Sequence, residues 1–199
     1  MPVTIGGKPE SDFQNPIGML SDCHRRIERF LSGLITIAEE AKGGELPQEH
    51  RPQFAVALRY FREGAPKHTL DEEESLFPRL LKHHSPKTEP ILRVLDHLEA
   101  EHLKAEDRHL IVDRLGVEWL ANGVLSSSDS DVLITNLRKL RSDYETHIAV
   151  EDNQLFPFAA RLLSKEDLRA IGEEMAARRG LRAGPTPGNF PSPFERGLG

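Results

Sequence analysis

Apolar residues recur three and four positions apart along most of the chain, which is the spacing of one face of an amphipathic helix. Four such stripes lie between the two ends of the chain, over residues 17–38, 54–76, 91–119 and 133–155. Polar residues occupy the other faces of each stripe, and no stretch alternates apolar and polar residues with period two. The pattern therefore predicts four long helices and no strands.

Helix-breaking residues separate the stripes. The first three stripes are followed by Gly43-Gly44 with Pro47, by Ser85-Pro86, and by a loop of Gly123 and Ser126-Ser127-Ser128. Gly64 and Pro66 interrupt the second stripe and predict a kink or short break there, whereas the fourth stripe has no matching break. Ser164, followed three residues later by Asp167, predicts the N-cap of a short fifth helix that runs to about Arg179.

Four long amphipathic helices joined by short loops predict an all-α fold, an up-down four-helix bundle with a short C-terminal fifth helix and extended terminal arms. We predict an N-terminal arm over residues 1–15, the bundle over residues 16–179 and a Gly/Pro-rich C-terminal tail over residues 180–199. The density of glycine and proline excludes a helix in the tail. The tail could be solvated, or its phenylalanines could hold it against the surface or a partner.

The composition limits the class of protein. The chain has 199 residues, of which 38% are hydrophobic, so it can bury a core and its length favours one domain. The longest apolar runs span only a few residues, whereas a membrane helix needs about 20, so we expect no membrane segment. The first residues lack the basic and apolar regions of a secretory signal.

Charge and cysteine content limit the binding partners and the cellular compartment that we expect for the protein. The single cysteine, Cys23, excludes an intrachain disulfide and a CxxC metal site, and we expect the reducing cytoplasm. The net charge is −6, with acidic and basic residues interspersed, so we expect no nucleic-acid partner. The nine histidines are an excess that points to chemistry rather than packing.

Six histidines and glutamates form an internal repeat. The segment that starts with His68-x-x-x-Glu72 and ends in Leu-Phe-Pro recurs 79 positions later, starting with His147-x-x-x-Glu151. A single histidine precedes each segment on the preceding helix, His24 in the first half and His102 in the second. Two similar halves of the chain therefore each supply two histidines and one glutamate.

The spacing places these six residues inside the predicted bundle. Positions i and i+4 lie about one turn apart on the same helix face, so each His-x-x-x-Glu pair can reach one point. All four histidines fall on apolar stripes, and two buried carboxylates without partners would cost several kcal/mol each. A metal site explains the set better than coincidence. Imidazole and carboxylate without thiolate suit iron, manganese or zinc, and two bridging glutamates divide the set between two metals.

At these residues the sequence resembles hemerythrin-like proteins with the HHE cation-binding domain. The resemblance covers about residues 16–178 and includes both Leu-Phe-Pro endings. It implies an oxo- or hydroxo-bridged pair of iron ions, with manganese or zinc as alternatives, and a small diatomic or peroxide ligand. The roles it implies are oxygen binding, sensing of oxygen or nitric oxide, peroxide handling, and iron donation to damaged iron–sulfur proteins. A redox or iron sensor acting through a protein partner, without catalysis, is the alternative.

The sequence departs from the oxygen carriers of that family at one point. Those members have an extra ligand from an HxxxH pair on the third helix. Here His97 and His102 are five residues apart, about 140° around the helix, and position 98 is leucine. We therefore expect His97 to face away from the site, which favours the repair and sensor types over simple oxygen carriage.

Several other residues could support the site. Tyr144, three residues before His147, is either a core aromatic or a hydrogen-bond donor to an oxygen species at the metals. Glu73 and Asp152 directly follow the bridging glutamates and could orient ligands from outside. Cys23 is predicted to be a small buried residue rather than a redox thiol. The remaining histidines are predicted to lie in loops or off the apolar stripes: His50, His83, His84 and His109.

Overall fold

A computed structural model describes residues 11–181, and every regular element in that range is helical. The helices are α1 Pro16–Ala41, α2 Arg51–Glu63, α3 Ala65–Leu70, α4 Phe77–Leu81, α5 Glu89–Asn122, α6 Ser127–Val150, α7 Phe156–Leu162 and α8 Lys165–Arg178. Two π-helical segments complete them, the first π segment Asp71–Leu76 and the second π segment Glu151–Leu155. Most of the predicted arm and tail, residues 1–10 and 182–199, lies outside the described residues. The all-α class is confirmed.

The long helices pack side by side as a bundle. Helix α1 packs against α2 and α6, and α5 packs against the same two helices from the other side. Helix α8 lies against α1 and the first π segment. None of the helices described is both long and apolar enough to cross a membrane.

Side-chain caps fix where the helices begin. The Asn15 side chain accepts a hydrogen bond from the backbone of Gly18 at the start of α1, at 3.1 Å. Ser164 and Asp167 form the predicted capping box of α8, with both reciprocal hydrogen bonds present. The predicted serine loop is shorter than expected because Ser126 is itself the N-cap of α6, and the helix starts at the next residue.

The short break predicted at Gly64 and Pro66 is confirmed, because α2 ends at Glu63 and α3 begins at Ala65. The expectation that the fourth stripe has no matching irregularity is wrong. At Gly64 the backbone keeps helical dihedral angles of −94° and −49°, so α3 continues α2 with only a short interruption. The stronger irregularities are the two π segments, one in each half of the repeat. Each segment contains a wider turn, in which a backbone N–H bonds to the carbonyl five residues earlier. Phe77 donates to the carbonyl of Glu72 in the first segment, and Phe156 donates to that of Glu151 in the second.

Proline explains why the helices widen at these places. Pro78 and Pro157 follow directly after the phenylalanines that close the π turns. Proline has no N–H, and in a regular α-helix its ring would clash with the carbonyl four residues earlier. A π turn relieves that conflict. Because the same Leu-Phe-Pro ending occurs in both halves, both metal-binding motifs acquire the same backbone distortion.

A polar layer divides the apolar core into two clusters. One cluster surrounds Trp119 and includes Ile27 and Leu140, and the other surrounds Phe77 and includes Leu20 and Leu98. The predicted histidines and glutamates lie between them along the helices: His24 falls between Leu20 and Ile27, for example. The two clusters shield the polar layer from water on both sides.

The C-terminal helix is tied to the polar layer by a buried carboxylate. Asp71 is fully buried, and its two oxygens accept hydrogen bonds from Arg178 at 2.9 Å and Arg179 at 2.7 Å. Arg178 also donates to the hydroxyl of Ser75 at 2.8 Å, so it spans the first π segment. Since Asp71 directly precedes Glu72, α8 holds in place the backbone that carries one of the predicted ligands.

We expect Asp71→Asn to destabilise the metal-free protein by about 3 kcal/mol, because it removes the buried charge shared by Arg178 and Arg179 and leaves Arg178 only the exposed Glu74, at 3.3 Å. The measurement is urea denaturation followed by circular dichroism. The matched control is Asp113→Asn, since Asp113 pairs with Arg62 at the surface, with both side chains at least one-third exposed. The control should lose at most about 1 kcal/mol. Equal losses for the two variants would contradict this account of α8.

Candidate metal centre

Six side chains from four regions of the bundle meet in the polar layer. They are His24 on α1, His68 on α3, Glu72 in the first π segment, His102 on α5, His147 on α6 and Glu151 in the second π segment. Five of them are buried, and the side chain of His102 is 10% exposed. The structure thus brings together every residue that the repeat predicts as a ligand.

The six residues form two groups of four that share both glutamates. The first group is His24, His68, Glu72 and Glu151, and the second is Glu72, His102, His147 and Glu151. Within each group, one potential ligand atom per residue lies within 4.8 Å of all the others. Each group is therefore compact enough to surround one metal ion, and a shared carboxylate can join two ions.

The Nε2 atoms of the histidines face the carboxylates. His68 Nε2 lies 3.4 Å from an oxygen of Glu72, and His102 Nε2 lies 3.5 Å from the other oxygen of that residue. The second glutamate is approached by the Nε2 atoms of His24 and His147, at 3.1 and 3.2 Å. Because each histidine presents the same ring nitrogen, the centre is built from four equivalent donors and four carboxylate oxygens.

Three histidines have an acidic residue beside the other ring nitrogen. Glu73 lies 2.7 Å from Nδ1 of His102, and Asp152 lies 3.1 Å from Nδ1 of His24. Both were singled out from the sequence for this role. The third, Glu101, lies 3.0 Å from Nδ1 of His147 and was not predicted, because its contact crosses from α5 to α6. Such carboxylates orient metal-binding imidazoles and make them better donors.

The metal-free site is electrostatically unbalanced. Burial raises the pKa of Glu72 well above its usual range, and the nearby charge of Glu151 raises it further. Burial would also raise the pKa of Glu151, but the imidazoles of His147 and His24, whose Nε2 atoms lie 3.2 and 3.1 Å from one of its oxygens, hold this pKa well below its usual range. Two carboxylates so close together cannot both ionise easily without additional positive charge.

Buried polar atoms without hydrogen-bond partners also indicate that the site needs positive charge. None of the four glutamate oxygens has a hydrogen-bond partner among the described residues, and neither does Nδ1 of His68. Buried polar groups are normally hydrogen-bonded, so oxygens left in this state are suited to a cation. Imidazole and carboxylate donors without a thiolate fit iron, manganese or zinc. The residues present therefore fit a metal centre.

The histidines set aside from the sequence divide into two kinds. His83 and His84 are exposed, and the side chain of His97 is 66% exposed and directed to Glu101, as expected for a residue that faces away. His109, predicted to lie off the apolar stripes, is instead partly buried, and its ring stacks on Phe61. The helical repeat contained the missing signal, because His109 follows His102 by seven residues and so shares its face.

A cavity of about 290 Å³ adjoins the site. The imidazoles of all four predicted histidine ligands line it, together with His109 and Tyr144. Its other walls are mainly apolar and include Ala65 and Pro66, in the segment that the sequence predicts to be loosened. Cys23, next to the first ligand, is buried as predicted.

Known proteins resemble this chain in the same region. A family model described as hemerythrin HHE cation-binding domain matches residues 15–159, which include all six predicted ligands. The chain is also similar to an uncharacterized protein of Haemophilus influenzae, with 29% identity over 170 residues. That similarity spans 85% of this chain and 93% of the relative.

We expect Glu72→Gln to stabilise the metal-free protein by an amount on the order of 1 kcal/mol at pH 8. The pKa of Glu72 is raised in the folded state, so the folded wild-type protein loses stability as pH rises from the unfolded pKa towards the folded one. The variant lacks this slope. The measurement is urea denaturation in a chelator between pH 5 and 8.

Glu145→Gln is the matched control for this prediction, because Glu145 is 67% exposed on α6. The control should have the same stability and the same pH slope as the wild-type protein. A Glu72→Gln variant that is less stable than wild type in the absence of metal would show that the buried carboxylate serves the fold rather than a cation.

Proposed function

The chain belongs to the hemerythrin HHE cation-binding domain family, and from that premise we propose that it is a non-haem di-iron protein. The centre reacts with or senses a small diatomic or peroxide ligand, or donates iron in iron–sulfur repair. One observation carries the proposal: two compact four-residue groups share Glu72 and Glu151 inside the bundle. The proposal includes an up-down arrangement of the four long helical regions and a cytoplasmic location.

The histidines of each half of the repeat would hold one ion. His24 and His68 would hold the first ion, His102 and His147 would hold the second, and both glutamates belong to the two groups. When bound, the two iron ions supply one-electron redox chemistry and exchangeable positions for a small ligand. Manganese and zinc suit the same donor set.

The chain's own residues define the environment of the centre. Glu73, Asp152 and Glu101 hold three of the imidazoles through their outer nitrogens. The two apolar clusters exclude water above and below the polar layer, which strengthens every charge interaction inside it. Access is left to the cavity, through which a small ligand can reach the histidines.

A reactive or repair role is favoured over reversible oxygen carriage. In the carriers that the sequence resembles, a further histidine on the third helix completes the ligand set. In this chain His97 is exposed, and the position that follows it, Leu98, is fully buried in the apolar cluster. The site thus offers six protein ligands rather than seven, which would leave more positions on the metals for an external ligand and so supports reactions at the centre.

A sensor role is the second candidate, and α8 is the observation that favours it. Arg178 and Arg179 bind Asp71, which directly precedes Glu72. A change at the metals that shifts Glu72 would thus act on the end of α8, where the C-terminal tail begins. In that reading, oxidation or metal loading alters a contact with a partner protein.

We expect the purified chain, reconstituted anaerobically with ferrous iron, to bind two ions per chain. His68→Ala and Glu151→Gln each remove a ligand and should lower the content to one ion or fewer. The measurement is elemental analysis after gel filtration, with His83→Ala as the control because His83 is an exposed histidine outside the site.

Other metal contents would be equally informative. A folded chain that takes up no metal, or a His68→Ala variant that binds as much as the control, would refute the metal centre. Two manganese or zinc ions with iron excluded would retain the centre and refute its assignment to iron.

Limited proteolysis separates the reactive role from the sensor role. If the centre is reactive, the tail over residues 180–199 should be cleaved at the same rate in the reduced and the oxidised iron-loaded protein. If it is a sensor, the rate should differ severalfold, and Asp71→Asn should abolish the difference by uncoupling α8 from Glu72. The cleavage products are identified by mass spectrometry.

A further inference from the structure

Tyr144 and His109 form a hydrogen-bonded pair in the wall of the cavity. Nε2 of His109 lies 2.8 Å from the Tyr144 hydroxyl, across the interface between α5 and α6. Neither residue belongs to the six predicted ligands. Both line the same cavity as the histidines of the metal centre, so a ligand in the cavity would meet the pair and the centre together.

The pair is neutral at ordinary pH. Burial lowers the pKa of His109 to about 4, so its imidazole carries a single ring proton. Burial raises the pKa of Tyr144 above its usual range, so the hydroxyl keeps its proton. The hydrogen bond between them therefore has two possible directions, which differ in the position of the imidazole proton.

The unpartnered atom of His109 decides between these directions. Its Nδ1 is buried and has no hydrogen-bond partner among the described residues. If Tyr144 donated to Nε2, the imidazole proton would sit on Nδ1 as a buried donor without an acceptor, which native structures rarely contain. If Nε2–H donates to the tyrosine oxygen, Nδ1 is only an unused acceptor. The second arrangement costs less.

This direction leaves the Tyr144 proton available to another group. The residue lies three positions before His147 on α6, about one turn away on the same face as that predicted ligand. Tyr144 and the imidazoles of all four predicted histidine ligands line the same cavity. The hydroxyl is thus placed to donate across the cavity towards the metal centre.

The other tyrosine of the chain, Tyr60, has a different kind of hydrogen-bond partner for its hydroxyl. The Tyr60 hydroxyl lies 3.5 Å from the backbone carbonyl of Cys23, an acceptor supplied by the fold itself. Tyr144 instead meets a histidine that has no other polar contact at its second nitrogen. The fold supplies His109 as a donor to Tyr144, an arrangement that is useful when the hydroxyl must donate elsewhere.

The cavity has room for such a ligand and a route to it. Its volume of about 290 Å³ is many times the roughly 30 Å³ that one water molecule occupies in the liquid. Leu103 and Leu70 line it and are exposed, at 69% and 38%, so the cavity reaches the surface between α3 and α5. A small anion or diatomic can enter there without displacing the core.

We propose that Tyr144 donates a hydrogen bond to a small anionic or oxygen-terminated ligand held at the metal centre, and that His109 positions the tyrosine for this by donating to its oxygen. The proposal rests on the proposed function, since the ligand is held by the metals. Tyr144 contacts the ligand, whereas His109 acts through Tyr144. The pair thereby gives the cavity a polar end opposite its apolar walls.

The first test uses the metal-free full-length chain and does not depend on metal binding. Two-bond nitrogen–proton NMR correlation of ¹⁵N-histidine-labelled protein reports which ring nitrogen of His109 is protonated, with His109→Gln used for assignment. We expect the proton on Nε2. A proton on Nδ1 would overturn the proposal, because the Tyr144 hydroxyl would then donate its hydrogen bond to Nε2 of His109 and not to a ligand.

The second test uses azide as a probe of the oxidised, iron-loaded protein. Tyr144→Phe should weaken azide binding by about tenfold, the effect of losing one hydrogen bond to a charged group. His109→Leu should have a similar effect, whereas His109→Gln should restore binding because the glutamine amide can donate to the same oxygen. Tyr60→Phe is the matched control and should leave the dissociation constant unchanged.

The outcomes distinguish this proposal from the one on which it rests. Normal iron content with unchanged azide binding in Tyr144→Phe would refute the role of the pair and leave the metal centre intact. A chain that binds no iron would refute the proposed function and this role with it. Weakened binding in His109→Gln equal to that in His109→Leu would reduce His109 to a packing residue and refute its positioning role.

Discussion

The burial of two carboxylates in an apolar bundle is the constraint on which the structure depends. Glu72 and Glu151 are both fully buried, and their oxygens have no hydrogen-bond partner among the described residues. Hydrophobic side chains above and below them could not tolerate isolated negative charge, which would cost several kcal/mol for each ion. The four imidazoles around the glutamates, and the cation that they can bind together, offset that cost. The apolar core is divided into two clusters because this polar layer has to lie between them.

The backbone is adapted to the same layer. Each glutamate lies at or beside the start of a π segment, and each segment ends at a phenylalanine followed by proline. The proline removes a helical hydrogen bond and the wider turn accommodates the loss, at the position from which a ligand must reach the bundle centre. Side chains near the two segments also donate to backbone carbonyls: Asn153 donates to that of Ala149, and Arg79 to that of Ser75. The Leu-Phe-Pro ending is therefore part of the site and not only a helix terminus.

Sequence periodicity predicted the four long helices and the α8 capping box, because those depend on local spacing and on one apolar face. It also selected the six residues that converge, since the repeat places them on such faces. The π segments are not predicted, because Pro78 and Pro157 lie where the apolar periodicity gives no sign of an interruption, unlike Pro47, Pro66 and Pro86. Glu101 and the pairing of His109 with Tyr144 depend on how two helices are set against each other. That register follows from tertiary packing, which a single sequence does not display.

The two halves of the site are similar in sequence but not equivalent in surroundings. A carboxylate lies beside Nδ1 of each of three histidines, His24, His102 and His147, and such partners fix the orientation of an imidazole. No carboxylate of the described residues pairs with Nδ1 of His68, which lies beside the cavity on the short helix α3. Its ring is oriented by packing, including an edge contact with the ring of His24 at 4.9 Å between centroids. A repeated motif has thus been built into a centre with three firmly oriented imidazoles and one less constrained imidazole, next to the cavity through which a ligand would arrive.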